Sequence, residues 1–217
     1  MSDVFILELW NIIFVSFRVS LTSTLLATLV ALPIGSFMGL RNFHGKKIVS
    51  NLINTFMGFP PVIMGLIIYL LISQSGPLGF LGLFPSTTAM IIAQFFLAVP
   101  IIMGTTVAAI ENVDPALKET VLSLGANERQ LWWELIKESK RSIIAGYFVA
   151  FGQAISEVGA VIIVGGNIRW DTRTFTTSIV DNTRQGEFGM AIVLGIILLS
   201  IAFIVNYGLT RLQKKGD

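Results

Sequence analysis

The sequence contains no cysteine and a single histidine, His44, among its 217 residues. The absence of cysteine excludes disulfide bonds, thiolate metal sites and cysteine nucleophiles. Because no second imidazole can complete a ligand set, His44 is interpreted as a solvated loop residue beside Lys46 and Lys47. We therefore expect neither a metal site nor a bound cofactor.

Charged residues are also scarce, at 13% of the chain, whereas a soluble domain contains about a quarter. Hydrophobic residues make up 53%, and the few charges are gathered into short polar segments. The apolar runs between these segments approach the ~20 residues that a helix needs to cross hydrocarbon. The alternation of a membrane β-barrel is missing, so the spanning elements are helices. The sequence predicts an all-α integral membrane protein with one domain, residues 1–217.

Apolar runs predict five transmembrane helices, with a sixth as an alternative. Residues 1–17 are apolar but interrupted by Glu8 and Asn11. They indicate an interfacial helix, an N-terminal extension of the first span, or a short separate span. Polar residues dominate segments 111–142 and 165–187, and the second of these is expected to form a short helix around 172–184. The five predicted spans are 19–40, 54–72, 87–110, 143–164 and 188–209.

The basic residues predict which side of the membrane each segment faces. With five spans, eleven of the fifteen Lys and Arg residues fall on one side. The positive-inside rule makes that side cytoplasmic. The chain is therefore expected in the cytoplasmic membrane, with segment 111–142 inside and segment 165–187 outside. A net charge of +2 gives no indication of a nucleic-acid surface.

Segment 111–142 is predicted to form two short helices around a glycine turn. Asp114 is a good N-cap, and Pro115 suits the first helical position because no donor is lost there. Gly125 can adopt the left-handed conformation that ends a helix. Asn127, with Gln130 three residues later, resembles a capping box. A folded element of this kind between two spans indicates a place where mechanical work is passed to a partner.

The pattern Glu119-Thr-Val-x-x-x-Gly125, followed by Ala126, resembles the cytoplasmic EAA loop of ABC-importer permeases. Thr and Val replace the two alanines of that loop, and Lys137-Glu138 stand where the family usually has Leu-Pro. The resemblance implies a coupling loop that docks on a separate ATP-binding subunit. The residues that it assigns to this contact are Asp114, Glu119, Leu124, Gly125 and Ala126.

Residues 152–160, Gly-Gln-Ala-Ile-Ser-Glu-Val-Gly-Ala, resemble the span after the EAA loop in molybdate, tungstate and sulfate permeases. The following stretch, residues 164–177, most resembles the tungstate branch. The resemblance implies a homodimer that forms a pathway for an oxyanion, tungstate or molybdate. Its implied partners are two copies of an ABC ATPase subunit and an extracytoplasmic solute-binding protein. The chain has no Walker-type loop, so it is not expected to be an enzyme.

Glu157 is the main candidate within the membrane, about 21 Å along its helix from Ile143. A carboxylate at that depth costs a few kcal/mol unless it is paired, solvated or protonated. It is either a gate, a pore-lining residue or a tie across a dimer interface, or it is a packing carboxyl bonded to a neighbouring helix. The pathway and gate candidates are Gln153, Ser156, Glu157 and Gly159.

The outer segment contains three arginines with two possible roles. Arg169, Arg173 and Arg184 either dock an external binding protein or pair with Asp171 and Asp181 in a solvated loop. The predicted spans have no Lys, Arg or His away from their ends, although a tight oxyanion site would need cations or helix N-termini. We therefore expect the separate binding protein to provide selectivity.

Several weaker features of the spans allow more than one role. Prolines interrupt span two at Phe59-Pro60-Pro61 and span three at Pro100. The kinks that they permit either serve a gate or are static bends. The glycines and alanines of span four allow either close packing or pore lining. The hydroxyls of span one either line a pathway or bond to their own helix.

Two other functional classes were considered. In the first, an ion-gradient-driven transporter or channel uses Glu157 as its ion or proton site. Dependence of transport on ATP and on a partner chain would distinguish it from an ABC permease. The second, an intramembrane enzyme, has little support, because the sequence offers no Ser/His/Asp set, no His-rich metal cluster and no second carboxylate near Glu157 in sequence.

Overall fold

A computed structural model describes residues 2–214, and all regular elements within them are helices. Three helices are long and apolar enough to cross a membrane, and two bent helix pairs bring the candidate spans to five. Lys215, which contributed to the charge pattern, lies outside the described residues. The helices are α1 (Ser2–Leu40), α2 (Lys46–Met57), α3 (Pro61–Ile72), α4 (Thr87–Glu111), α5 (Pro115–Ser123), α6 (Glu128–Ser156), α7 (Gly159–Gly165), α8 (Phe175–Gln185) and α9 (Phe188–Lys214), with a 3₁₀ turn at Gly79–Leu81.

The first span and the segment before it form one helix, α1, of 39 residues. At 1.5 Å per residue this helix is about 58 Å long. Hydroxyls along it donate to carbonyls one turn earlier, as Thr24 does to Ser20 and Thr28 to Thr24, each at 2.7 Å. Ser16 and Ser23 also contact other helices, so the hydroxyls of α1 serve both its own backbone and its packing.

The second span is broken at the interruption that Phe59-Pro60-Pro61 predicted, and it begins earlier than residue 54, with α2. α2 and α3 meet at an angle of 95°. Pro60 has extended backbone angles, φ −62° and ψ 119°, because a residue that precedes a proline is disfavoured in the helical region. The double proline therefore ends one helix and starts the next, while α4 continues through Pro100 without a break.

The structure of segment 111–142 differs from its prediction in one respect. α5 is short, but α6 runs for 29 residues from the segment directly into span four. No glycine or proline occurs between residues 128 and 145, so nothing ends the second helix there. The prediction of a separate second helix is therefore wrong. α6 is a rod about 43 Å long.

Span four is broken near its outer end, which the sequence analysis did not predict. α6 stops at Ser156, Glu157 is extended, and α7 resumes at Gly159 with a bend of 57°. Beyond it, α8 forms where a short surface helix was predicted, with a capping box between Thr174 and Thr177.

The main apolar core lies between the N-terminal halves of α1 and α4, with α3 and α7 packed against them. Small residues permit the closest approaches. A Cβ atom on Gly65 of α3 would lie 2.6 Å from the Cα atom of Ala160 in α7. Gly159 faces Val62 equally closely, and Gly146 faces Thr105. Close packing is thus a role of the small residues in span four.

Candidate functional site

The coupling element, residues 111–142, is capped as its sequence predicts. The Asp114 carboxylate accepts a hydrogen bond from the Ala116 amide at 2.8 Å. Asn127 and Gln130 bond reciprocally, each side chain to the other's backbone amide, at 2.8 and 2.9 Å. Gly125 has a φ of +81°, the left-handed conformation that favours glycine. Local rules therefore fix the turn between α5 and α6.

One side of α5 packs inward and the other is open. Leu117 and Val121 contact a buried cluster that includes Leu131 and Leu135 of α6. Leu124, at the end of the helix, is 83% exposed. Glu119 is also exposed. A large apolar side chain displayed on a firmly packed base is typical of a protein contact site.

Polar contacts tie the coupling element to the loop between α1 and α2. Arg41, just after α1, forms an ion pair with Glu128 at the start of α6. Lys46 Nζ lies 2.8 Å from Glu111 Oε1 at the end of α4. Arg41 and the first residue of α2 are therefore bonded to the two helix ends that flank α5 in the chain.

A small cleft lies between α4 and α6, and it contains two of the predicted pathway residues. Gln153 and Glu157 line it together with Gln94 of α4. Gln153 and Ser156 are exposed, and Ser156 Oγ donates to the Gly152 carbonyl at 2.7 Å. The fourth candidate, Gly159, is partly buried against Val62.

Glu157 is half-buried at the break between α6 and α7. Its Oε1 accepts a hydrogen bond from the Ala160 amide at 3.1 Å, so the carboxylate caps the start of α7. Its carbonyl oxygen accepts from Thr176 Oγ1 of α8 at 2.7 Å. The side chain thus bonds to its own span, and the backbone of the same residue bonds to the outer helix.

Gln94 of α4 is a site residue that was not predicted from the sequence. This side chain is only 3% exposed. Its Nε2 donates to the Ala154 carbonyl at 2.7 Å, and its Oε1 accepts from Ser23 Oγ at 3.1 Å. It thereby joins α1, α4 and α6. A signal was present, because a polar side chain within an otherwise apolar run points to a specific role in a membrane helix.

The outer arginines are held by a carboxylate from the other end of the chain. Glu8 accepts two hydrogen bonds from Arg169, at 3.0 and 2.6 Å, and one from Arg173 at 3.2 Å. The hydrogen bond with Glu8 and its negative charge raise the pKa of Arg169. Arg173 also pairs with Asp181 at 2.9 Å, as one of the sequence alternatives proposed. Arg184 is exposed.

The loop between α7 and α8, which contains Arg169 and Arg173, is strained. Asn167 and Trp170 have positive φ values of 51° and 72°, which are unusual for residues other than glycine. The Arg169 guanidinium lies 5.5 Å from the centroid of the Trp170 ring, and Trp170 is 47% exposed. The hydrogen bonds from Arg169 to Glu8 and the stacking of Arg169 on Trp170 together hold the Trp170 side chain at the surface.

Known proteins that this chain resembles in sequence are membrane components of transport systems. Residues 31–215 match the family described as binding-protein-dependent transport system inner membrane component. A tungstate uptake system permease of Peptoclostridium acidaminophilum is 40% identical over 96% of this chain and 91% of its own length. A probable anion ABC transporter permease of Haloferax volcanii is 37% identical over 95% and 91%. A molybdenum transport permease of Escherichia coli is 28% identical over 95% of each chain.

Solved structures show the same fold. A chain of the MetNI methionine ABC transporter in an inward-facing conformation superposes with a TM-score of 0.80 over 99% of both chains, at 15% identity. A chain of an amino acid ABC transporter gives a TM-score of 0.72 over 99% of this chain and 96% of its own, at 19% identity.

Proposed function

This chain belongs to the inner-membrane components of binding-protein-dependent transport systems, the permeases of ABC importers, and we propose that its substrate is tungstate. The tungstate permease at 40% identity supports this substrate over sulfate, whose permeases are 25–28% identical. Molybdate, a tetrahedral oxyanion of the same charge, is the nearest alternative. The observation that supports the permease role best is α5, a capped helix with one exposed side that lies in the chain between two candidate membrane spans, α4 and α6.

In this proposal a separate ABC ATPase subunit binds α5 from the cytoplasm and hydrolyses ATP. Leu124 inserts into that subunit, while Asp114 and Gly125 set the direction of the helix and Glu119 and Ala126 complete the contact. Two ATPase copies would serve two permease copies. The 29-residue α6 then passes the movement of α5 into the membrane without an intervening joint.

The pathway forms between two copies of the chain. Exposed Gln153 and Ser156 support this, because polar side chains within a span favour water or a partner over lipid. Glu157 stands at the outer end of the same surface and is proposed as part of the gate, with Gly159 providing the close packing beside it. The negative charge of Glu157 would oppose a resting anion, so the pathway binds oxyanions weakly.

Selectivity is proposed to reside in an extracytoplasmic binding protein that docks at the outer end. Arg184 is exposed and Arg169 is half-exposed, so both are available to acidic groups on that protein. Arg173 is less accessible, with its side chain 17% exposed, and it shapes the docking surface through Glu8 and Asp181.

The test is co-purification with the ATPase subunit and uptake into proteoliposomes. Leu124→Asp should abolish binding of the ATPase subunit, because it places a charge in an apolar contact. Phe80→Asp is the matched control, since Phe80 is 81% exposed but lies far from α5 along the chain. ATP-dependent tungstate uptake by the wild type is expected. Uptake driven by an ion gradient without ATP would contradict the proposal.

A further inference from the structure

The break in span four separates the long helix α6 from a closely packed group of helices. This group, called the outer block, contains α3, α7, α8 and the N-terminal halves of α1 and α4. On one side, α6 extends to the coupling element. On the other, α7 is packed so closely that a Cβ atom on Gly165 would lie 2.6 Å from Met90 Sδ in α4. Gly65 of α3 approaches Ala160 of α7 in the same way. The outer block therefore has little freedom to move. α6, in contrast, extends 29 residues from the break to the coupling element, so a small change of angle at the break displaces its far end strongly.

The backbone at residues 157–158 lacks regular helical bonding. The Glu157 amide reaches back only three residues, to the Ala154 carbonyl, at 3.3 Å. Regular bonding resumes where the Ile162 amide donates to the Val158 carbonyl at 2.9 Å. A few residues at the end of an element are the usual place where a change of angle is absorbed.

Two buried side chains bond across this break from neighbouring helices. Gln94 donates to the Ala154 carbonyl and Thr176 donates to the Glu157 carbonyl, each at 2.7 Å. The donors are 3% and 5% exposed. A helix end leaves its last carbonyls without partners, and a buried carbonyl without a partner is unfavourable. Thr176 thus provides a partner for the Glu157 carbonyl, and Gln94 adds a shorter bond to the Ala154 carbonyl, which also accepts the 3.3 Å bond from the Glu157 amide.

Both donors belong to the outer block. Gln94 lies in the half of α4 that precedes Pro100, next to core residues such as Ala93 and Leu97. Thr176 lies at the start of α8, whose Phe175 amide donates to Ser16 Oγ of α1 at 2.9 Å. The outer end of α6 is therefore attached on two sides, to the first half of α4 through Gln94 and to the start of α8 through Thr176.

We propose that residues 157–158 are the hinge on which α6 turns during transport, and that Gln94 and Thr176 are positioning residues that hold its outer end. With that end held, a displacement at α5 becomes a rotation of α6, which moves Gln153 and Ser156 at the pathway. With the end released, α6 shifts without turning, and ATP is hydrolysed with little transport. The inference rests on the proposed permease function.

The experiment measures tungstate transported per ATP hydrolysed by the reconstituted complex with the binding protein. Thr176→Val keeps the shape and removes the donor; Gln94→Leu does the same in α4. Each variant should lower transport per ATP by about fivefold, the factor that corresponds to losing one hydrogen bond. Thr183→Val is the control, because the Thr183 hydroxyl bonds only within α8, to Ile179 at 2.7 Å; it should match the wild type.

The outcomes separate the hinge from the function. If Thr176→Val assembles normally and lowers transport and ATP hydrolysis in the same proportion, the bond is merely structural and the hinge is overturned. Wild-type uptake that does not require ATP would overturn both proposals. Should Gln94→Leu fail to assemble, the isosteric Thr176→Val still decides, and an unchanged ratio in that variant overturns the hinge.

Discussion

Glu8 accepts hydrogen bonds from two arginines that follow it by 161 and 165 residues in the chain. In the sequence it interrupts an apolar run, and nothing nearby indicates its partners. Its side chain is 14% exposed, so the charge is balanced within the protein more than by water. One carboxylate thereby joins the start of α1 to the loop before α8.

Glu8→Gln should lower the free energy of unfolding by about 1–2 kcal/mol, because it removes charge-assisted hydrogen bonds from a mostly buried site. Thermal unfolding of the purified complex in detergent measures the change. Glu134→Gln is the control: its partner Lys137 is 66% exposed, and exposed pairs contribute roughly 0–1 kcal/mol. Equal losses in the two variants would contradict the assigned role of Glu8.

Residues that act on near neighbours were predictable, and residues that act across the fold were not. Asp114, Asn127 and Gly125 obey rules that extend over three or four positions, so their sequence sufficed. Gln94 acts on a carbonyl 60 residues away. The position of Gln94 within an apolar run indicated that its side chain is buried. Its hydrogen-bond partner, however, depends on how α4 and α6 pack.

Among the helices, α6 joins the coupling element to the membrane without a joint. Position 138 lies within this unbroken helix. Glu138→Pro should uncouple the complex, because proline removes one helical hydrogen bond, costs about 3 kcal/mol and kinks the helix. We expect lower transport per ATP with retained binding of the ATPase subunit. Glu138→Ala, also at this exposed position, should behave as wild type.

The direction of α5 depends on Gly125. Gly125→Ala should weaken binding of the ATPase subunit about tenfold, because a left-handed backbone costs a residue with a side chain roughly 1–2 kcal/mol. Gly186→Ala is the control. Gly186 has nearly the same φ as Gly125, +80°, and the same open space around it, but it ends α8 and not α5. Affinity measured by titration of the ATPase subunit tests this; a similar loss in both variants would mean general destabilisation.

The two broken spans show why one bend was predictable and the other was not. Pro60 and Pro61 restrict their own backbone, so an interruption could be anticipated, although its angle of 95° could not. Residues 156–158 contain no proline or glycine. Glu157 is extended because Gln94 and Thr176 satisfy the carbonyls that the break exposes. A conformation stabilised by other helices leaves no local pattern.

For the whole molecule, hydrophobic runs and basic residues predicted the number of spans and a topology. They offered an extension of the first span as one of three alternatives for the N-terminal segment, and this is the one that α1 shows, but they could not predict that α1 packs along α4. Helix count depends on local composition, whereas packing depends on which surfaces are complementary. The family match then supplied the class of function, which the cleft between α4 and α6 alone does not.

The predicted topology can be tested because the chain has no cysteine of its own. Leu124→Cys should react with a membrane-impermeant maleimide only after the cytoplasmic side is opened. Gln185→Cys, at the exposed end of α8, should react in intact cells. Labelling of both positions from the same side would contradict a five-span arrangement with the coupling element inside.

The unequal lengths of the helices have a consequence for the lipid around the protein. α1, about 58 Å long, exceeds the hydrocarbon thickness of about 30 Å, so it can follow a thicker or thinner bilayer by changing its tilt. α3 has only 12 residues, about 18 Å, and the bend before it leaves no such adjustment. Acyl-chain length should therefore influence the protein mainly through the broken span, and transport rates in short- and long-chain lipids would reveal that sensitivity.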